Sequence, residues 1–181
     1  ADPGYSCAWL DGGPTDNPWN WSNRVMFILR FLLHLDQSPD KAAQGAAYQR
    51  ILRYLVERQS PETGLWHGTA AAPVREAVFA AYHFFPFFFY AGVRPPHSAQ
   101  IIDSVLSIQY ADGLFGTVPG GGACEDLDAV DILVSFSRIT DHRRREVEEA
   151  LGRAHAALCA LQNPDGGFPD RQLQPGDLTK T

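Results

Sequence analysis

Two kinds of helical pattern alternate along the chain. Three segments carry apolar residues on one face only, at the spacing of an amphipathic helix: 41–58, 98–108 and 143–161. Three others are apolar nearly all round: 25–35, 77–91 and 129–139. Because a helix without a polar face must be covered on every side, the pattern predicts inner helices surrounded by outer ones. We therefore expect an all-α chain of six helices in three hairpins.

A short motif recurs after each amphipathic segment. It consists of a glutamine, a short polar turn, a glycine and an aromatic residue, and it occupies 59–66, 109–116 and 162–168, with a degenerate copy near Trp9. Its Asp, Asn, Pro and Gly residues are typical of places where a chain leaves a helix and reverses. We expect the rest of 1–21 to form an N-terminal loop, Ser22 to cap the first inner helix, and 170–181 to form a tail.

Composition narrows the choice of partners and compartment. The chain has 181 residues and a formal net charge of −6, which argues against a nucleic-acid surface because phosphate binding needs clustered positive charge. The charge-free stretch 77–93 contains Pro86 and is short for a membrane span, so we expect a buried helix there and no transmembrane segment. Cys7, Cys124 and Cys159 form no close pair, which favours a reducing, cytoplasmic location.

The glutamine turns, together with the segment Gly120-Gly121-Gly122-Ala123-Cys124-Glu125-Asp126-Leu127-Asp128, resemble the repeats of the α/α-toroid superfamily. This superfamily includes protein prenyltransferase β-subunits and squalene and class II terpene cyclases. The resemblance implies an α/α toroid or partial toroid whose functional face lies where the inner helices begin. Toroids of these families have more helices than the six predicted here, which implies a fragment, a half completed by oligomerisation, or a small open relative.

Acidic residues gather at the predicted start of the third inner helix: Glu125, Asp126, Asp128 and Asp131. Like charges held close together should raise at least one carboxyl pKa, and a carboxyl that stays protonated can act as a general acid. The sequence Asp126-Leu127-Asp128-Ala129 resembles the DxDD motif of class II cyclases, except that Ala129 replaces the last aspartate. By that resemblance, Asp128 is the proton donor and Asp126 its neighbour.

Equivalent positions in the other two inner helices hold Asn23 and Glu76, so we expect these side chains and Asp128 to converge on one mouth. Aromatic residues of the second inner helix could stabilise a cationic intermediate there, although tight packing of this helix against its outer neighbour is the favoured explanation. The residues predicted to bind substrate are Asn23, Arg24, Trp66, His67, Phe79, Tyr82 and His83.

The leading hypothesis is a terpene-cyclase-like or prenyltransferase-like enzyme that acts on an apolar isoprenoid by protonation and needs no cofactor. One alternative is a carbohydrate-active toroid that uses Glu76 and Asp128 as a carboxylate pair, with Trp66 and His67 at the sugar subsites. Another is a binding or interaction module without catalysis. A zinc site built from Cys124, Asp126 and His83 is a further possibility, since sulfur, oxygen and nitrogen ligands all suit zinc.

Overall fold

A computed structural model of the chain describes residues 10, 17–34, 41–67 and 73–169. Seven helices occur in these ranges: α1 Pro18–His34, α2 Lys41–Arg58, α3 Val74–Tyr82, α4 Phe85–Tyr90, α5 Ser98–Ser107, α6 Ala123–Ser137 and α7 Arg144–Leu161. The described ranges contain no strand, which confirms the all-helical prediction. The ring arrangement stays a prediction.

The chain divides into two compact units, a first unit Ala1–Gln100 and a second unit Ile101–Thr181. The degenerate motif near Trp9, Cys7 and the tail 170–181 lie outside the described residues, apart from Leu10.

In the first unit, α1 packs against both α2 and α3. The predicted apolar face of α2 is buried, with Ile51 and Leu55 fully inaccessible to solvent, and Val25 and Leu29 of α1 are equally buried. Removing these side chains from water is the main favourable contribution to folding of this unit. The hairpin predicted for 25–58 is therefore confirmed as a packed helix pair.

The N-terminal end of α1 differs from the prediction. The helix begins at Pro18, so the expected loop 1–21 ends earlier and Trp19 and Trp21 are helical. Asn17 is the residue that caps it, because its side-chain Oδ1 accepts a hydrogen bond of 3.0 Å from the backbone N–H of Asn20. Pro18 fits the first helical position, where no N–H is needed. The prediction that Ser22 caps this helix is wrong, since Ser22 is fully buried within it.

The segment 77–91, predicted to form one continuous helix, is interrupted in the structure. Helix α3 ends at Tyr82 and α4 begins at Phe85. Pro86 explains the break, because it has no N–H and its ring would clash with the carbonyl four residues earlier in a continuous helix. In the described ranges, no helix combines the length and the apolar character needed to cross a membrane.

In the second unit, α6 packs against α7, and Ile132, Leu133 and Phe136 of α6 are buried. The turn before α7 is tied to α5 by polar contacts. Asp103 of α5 accepts hydrogen bonds from His142 Nε2 at 2.9 Å and from Arg143 Nη1 at 3.1 Å. Burial acts to raise the pKa of Asp103, but the hydrogen bonds and charges of His142 and Arg143 together lower it below its ordinary value. They also accompany a left-handed backbone at Arg143, directly before α7.

The three glutamine turns share one local structure. Each turn glycine adopts a positive φ that glycine accepts without strain: +69° at Gly64, +91° at Gly113 and +87° at Gly166. Each glutamine Nε2 donates to the carbonyl of its own turn glycine: Gln59 to Gly64 at 2.7 Å, Gln109 to Gly113 at 2.9 Å and Gln162 to Gly166 at 3.0 Å. The glutamine therefore closes the turn that follows its helix, which explains why the two residues recur together.

Candidate functional site

The acidic cluster lies at the N-terminal end of α6, directly after a glycine-rich loop. Asp126 is only 2% exposed, and both oxygens of its carboxylate are engaged by backbone N–H groups of that loop. Phe115 N donates to Oδ1 at 2.6 Å, and Gly122 N donates to Oδ2 at 3.0 Å. Hydrogen bonds to a charged acceptor are strong, so Asp126 fastens the loop to the helix. This aspartate has a structural role.

The loop itself admits no side chains at two of its glycines. Gly121 has a φ of +92°, and a Cβ there would lie 2.9 Å from Asp126 Oδ2. A Cβ on Gly116 would lie 2.4 Å from the Gly121 backbone. A second aspartate, Asp112, holds the other end of the loop by accepting from Leu114 N at 2.9 Å and from Gly120 N at 2.8 Å. The start of α6 is therefore fixed in place by backbone hydrogen bonds on two carboxylates.

Asp128 has a different environment, although it stands only two positions further along the helix. Two residues turn the helix by about 200°, which directs Asp128 away from the loop that Asp126 binds. Its side chain is 3% exposed, and no group among the described residues hydrogen-bonds its Oδ2. Burial raises the pKa of Asp128 to about 8, and the nearby Glu125 and Asp131 raise it further. The carboxyl is therefore mainly protonated at neutral pH.

The sequence predicted a raised carboxyl pKa in this cluster from the crowding of charges. The larger cause in the structure is burial, and the repulsion from Glu125 and Asp131, which are both half-buried, comes second. This order matters chemically. A carboxyl that is neutral because it is desolvated can transfer its proton to a substrate.

The zinc alternative finds no support. Within the part of the chain that the structure describes, no three His, Cys, Asp or Glu side chains are grouped as metal ligands would be. Asp126 is also occupied by two backbone N–H groups, and Cys124 is exposed on the first turn of α6. Cys124, Asp126 and His83 therefore do not form the predicted site.

Several predicted substrate-binding residues belong to the core of the first unit. Trp66 is 3% exposed, its Nε1 donates to Leu55 O at 2.7 Å, and its ring lies 5.0 Å from that of Phe84. Phe79 is likewise 3% exposed. These positions agree with the packing explanation for the aromatic residues. His67 is half-buried and pairs with Thr63 Oγ1 through Nε2 at 2.7 Å.

Two of the predicted polar residues face solvent, namely Arg24 on α1 and Glu76 in the first turn of α3. Asn23 is half-buried, and its amide donates to Trp19 O at 3.1 Å. The expected convergence of Asn23, Glu76 and Asp128 joins residues of both units, as does the carboxylate pair of the carbohydrate alternative. Both stay predictions.

The first unit contains an aromatic pocket of about 440 Å³. Its walls are apolar or aromatic apart from one guanidinium and one imidazole: Met26, Phe27, Arg30, Tyr82, His83, Pro86 and Phe87. The predicted residues Tyr82 and His83 therefore do meet at one cavity. The volume lies within the range of small-molecule sites.

The imidazole in this pocket is held in one neutral form. Ser22 Oγ donates to Trp19 O at 2.9 Å, because a carbonyl can only accept. The same Oγ lies 2.8 Å from His83 Nδ1, so Nδ1 must donate the hydrogen of that second bond. Burial lowers the pKa of His83 to about 4, which keeps the ring neutral and leaves Nε2 as an acceptor.

Some residues of these sites were missed at the sequence level. Met26, Phe27 and Arg30 follow Asn23 at helical spacing, so the periodicity of α1 could have indicated that they share a face. The role of Ser22 as the partner of His83 had no such signal, because the two residues are 61 positions apart.

Comparisons with known proteins give one partial similarity. The chain is 35% identical over 86 residues to drimenyl diphosphate synthase of Streptantibioticus cattleyicolor, a match that covers 44% of this chain and 16% of the relative. No family model matches the chain. No solved structure matches it either. The similarity supports a relation to terpenoid enzymes, and the chain spans only a small part of that relative.

Proposed function

We propose that this chain supplies the general acid of an enzyme that protonates a carbon–carbon double bond of an isoprenoid. The observation that carries the proposal is the state of Asp128. Its carboxyl is buried, its Oδ2 has no hydrogen-bond partner among the described residues, and its pKa is raised to about 8. A protonated carboxyl in an apolar setting is suited to transfer a proton to a substrate that has no lone pair.

The proposed step balances without a cofactor. The proton leaves Asp128 Oδ2 for one alkene carbon, and the π electron pair forms the new C–H bond. The other alkene carbon becomes a carbocation, and Asp128 becomes a carboxylate. Glu125 and Asp131 add negative charge close to that carboxylate, and such charge stabilises a cation formed nearby. After product release, a pKa near 8 allows Asp128 to regain its proton from water at neutral pH.

Asp126 acts as a positioning residue in this proposal. By accepting from Phe115 N and Gly122 N, it fixes the first turn of α6 and with it the direction of Asp128. In this proposal Asp126 holds the loop and the helix in position, and Asp128 transfers the proton. Ala129, where the class II motif has a third aspartate, is fully buried and contributes no charge.

The substrate class is inferred from one further observation. The similarity to drimenyl diphosphate synthase favours an isoprenoid that carries a diphosphate. We therefore take a prenyl diphosphate as the first substrate to test.

The proposal is tested by incubating the chain with farnesyl diphosphate in deuterium oxide and analysing the products by mass spectrometry. A cyclised product with one deuterium on carbon is expected, because the transferred proton exchanges with solvent. Asp128→Asn should abolish the product. Glu125→Gln, the matched control, should retain it, with the alkaline limit of activity shifted to lower pH. A product without deuterium, no product from the unmodified chain, or full activity of Asp128→Asn would contradict the proposal.

A further inference from the structure

The pocket of the first unit has two polar groups of different character on its wall. Arg30 is solvent-exposed, whereas His83 is only 6% exposed. Both residues line the same cavity of about 440 Å³, with the guanidinium on its solvent side and the imidazole on its buried side. A ligand in this cavity can therefore meet one polar group close to water and the other in the interior.

Arg30 makes the solvent side of the pocket positive. No residue in the described ranges forms an ion pair with it. Helix α1 contains no acidic residue, and the one acidic residue of α3 and α4, Glu76, stands about 9 Å before Tyr82 along the helix axis. The pocket therefore favours an anionic group at this position, and a carboxylate can accept two N–H groups of a guanidinium in one plane.

His83 contributes a hydrogen-bond acceptor and no charge. Its Nδ1 hydrogen is bound to Ser22 Oγ, so the neutral ring carries its lone pair on Nε2. No group in the described part of the chain hydrogen-bonds this Nε2. A hydroxyl group of a ligand can therefore donate to it. Because the imidazole adds no second positive charge, the pocket matches a single negative charge rather than the several charges of a diphosphate.

The remaining walls of the pocket favour an aromatic ligand. Phe27, Tyr82 and Phe87 contribute three rings to the wall, and Met26 contributes a thioether. Aromatic rings attract one another in offset-stacked and edge-to-face arrangements, and a thioether also packs favourably against a ring. An aromatic ring between these side chains therefore gains more than the burial of its apolar area alone.

We propose that this pocket binds a hydroxylated aromatic carboxylate. The carboxylate pairs with Arg30, the ring packs against the aromatic walls, and the hydroxyl donates to His83 Nε2. This orientation keeps the charged group of the ligand close to water, where the cost of desolvating it is smallest. The site goes beyond the proposed proton transfer and does not depend on it, because every residue of the site belongs to the first unit.

Isothermal titration calorimetry of the full chain at neutral pH tests the site with three matched ligands. The first, 4-hydroxycinnamate, carries both groups and is expected to bind with a dissociation constant below about 1 mM. Cinnamate lacks the hydroxyl and should bind about three- to tenfold more weakly, the loss expected for one neutral hydrogen bond. The methyl ester of 4-hydroxycinnamate lacks the charge and should bind about tenfold more weakly, because it loses the charge-assisted bonds to Arg30.

Arg30→Gln and Arg24→Gln form a matched pair of variants, because both arginines are exposed on α1 and only Arg30 lines the pocket. Arg30→Gln should remove the preference for the acid over its ester, and Arg24→Gln should keep it. Circular dichroism shows whether both variants keep their helices, which is expected at exposed positions.

Four results would overturn the proposal. They are no binding of 4-hydroxycinnamate, equal affinities for the acid and its ester, equal affinities for 4-hydroxycinnamate and cinnamate, and equal losses of affinity in the two arginine variants.

Discussion

Replacing Asp128 with asparagine should stabilise the fold, by an amount that grows with pH. The physical reason is the buried carboxyl. Its pKa is raised from 3.8 to about 8 in the folded chain, so folding favours the protonated form. Below about pH 4 the Asp128 carboxyl is protonated in both the folded and the unfolded chain, so it takes little from the stability of the fold. As pH rises from about 4 to about 8 the unfolded chain loses its proton first, and the stability of the fold falls; above about 8 the loss is complete.

The size of this effect follows from the shift. One pKa unit corresponds to about 1.4 kcal/mol, so the full shift sets an upper bound of about 6 kcal/mol. Relaxation and water penetration lower the cost of charging real buried sites, so we expect Asp128→Asn to gain about 2–4 kcal/mol at pH 8 relative to the unmodified chain. The same comparison at pH 4 should give a difference near zero. Asparagine matches the shape of the neutral carboxyl, so packing is unchanged.

Urea unfolding at pH 4, 5, 6, 7 and 8 measures the difference directly. Using the difference between variant and unmodified chain removes the pH dependence of every group that does not interact with Asp128. Asp165→Asn serves as the control, because Asp165 is an exposed turn residue where no gain from removing a buried carboxyl is expected. A difference for Asp128→Asn that is independent of pH, or that shrinks as pH rises, would refute the assignment of a buried, protonated Asp128.

Three further predictions test the surrounding structure. Asp126→Asn should destabilise the second unit by about 1–3 kcal/mol in urea unfolding, because an amide NH₂ must then face a buried backbone N–H; an unchanged midpoint would contradict this. Gln109→Leu should cost more stability than Gln162→Leu, since only Gln109 bridges to another helix; equal midpoints would contradict the account of the turns. Trp66→Phe should cost about 1–3 kcal/mol, because Leu55 O loses its buried donor, and a neutral thermal shift would argue against that bond.

Local features of the fold could be predicted from the sequence where one short stretch determines them. The apolar spacing of 41–58 predicted a packed helix with Ile51 and Leu55 inside, and the structure confirms it. The motif residues predicted a turn after each amphipathic segment, and the three motif segments 59–66, 109–116 and 162–168 each contain a turn with a left-handed glycine. The missed details were local too. Asn17 with Pro18 was the real helix start, and Pro86 was the signal for the break between α3 and α4.

The chemistry of the site was only partly accessible from the sequence. Asp126 and Asp128 look equivalent in Asp-Leu-Asp, and their different roles depend on where the preceding glycine loop places its N–H groups. That path is set by contacts through space, which residue spacing does not encode. The pairing of Ser22 with His83 is another contact of this kind, and so is any convergence of the inner helices, which depends on packing between distant parts of the chain.

Carbon-13 NMR of the aspartate carboxyl groups tests the central claim most directly. The Asp128 resonance, identified by its loss in Asp128→Asn, should titrate with a midpoint near pH 8, and it should have the chemical shift of a protonated carboxyl at pH 6. A midpoint near the ordinary aspartate value of about 4 would contradict the account, because Asp128 would then hold no proton to donate at neutral pH.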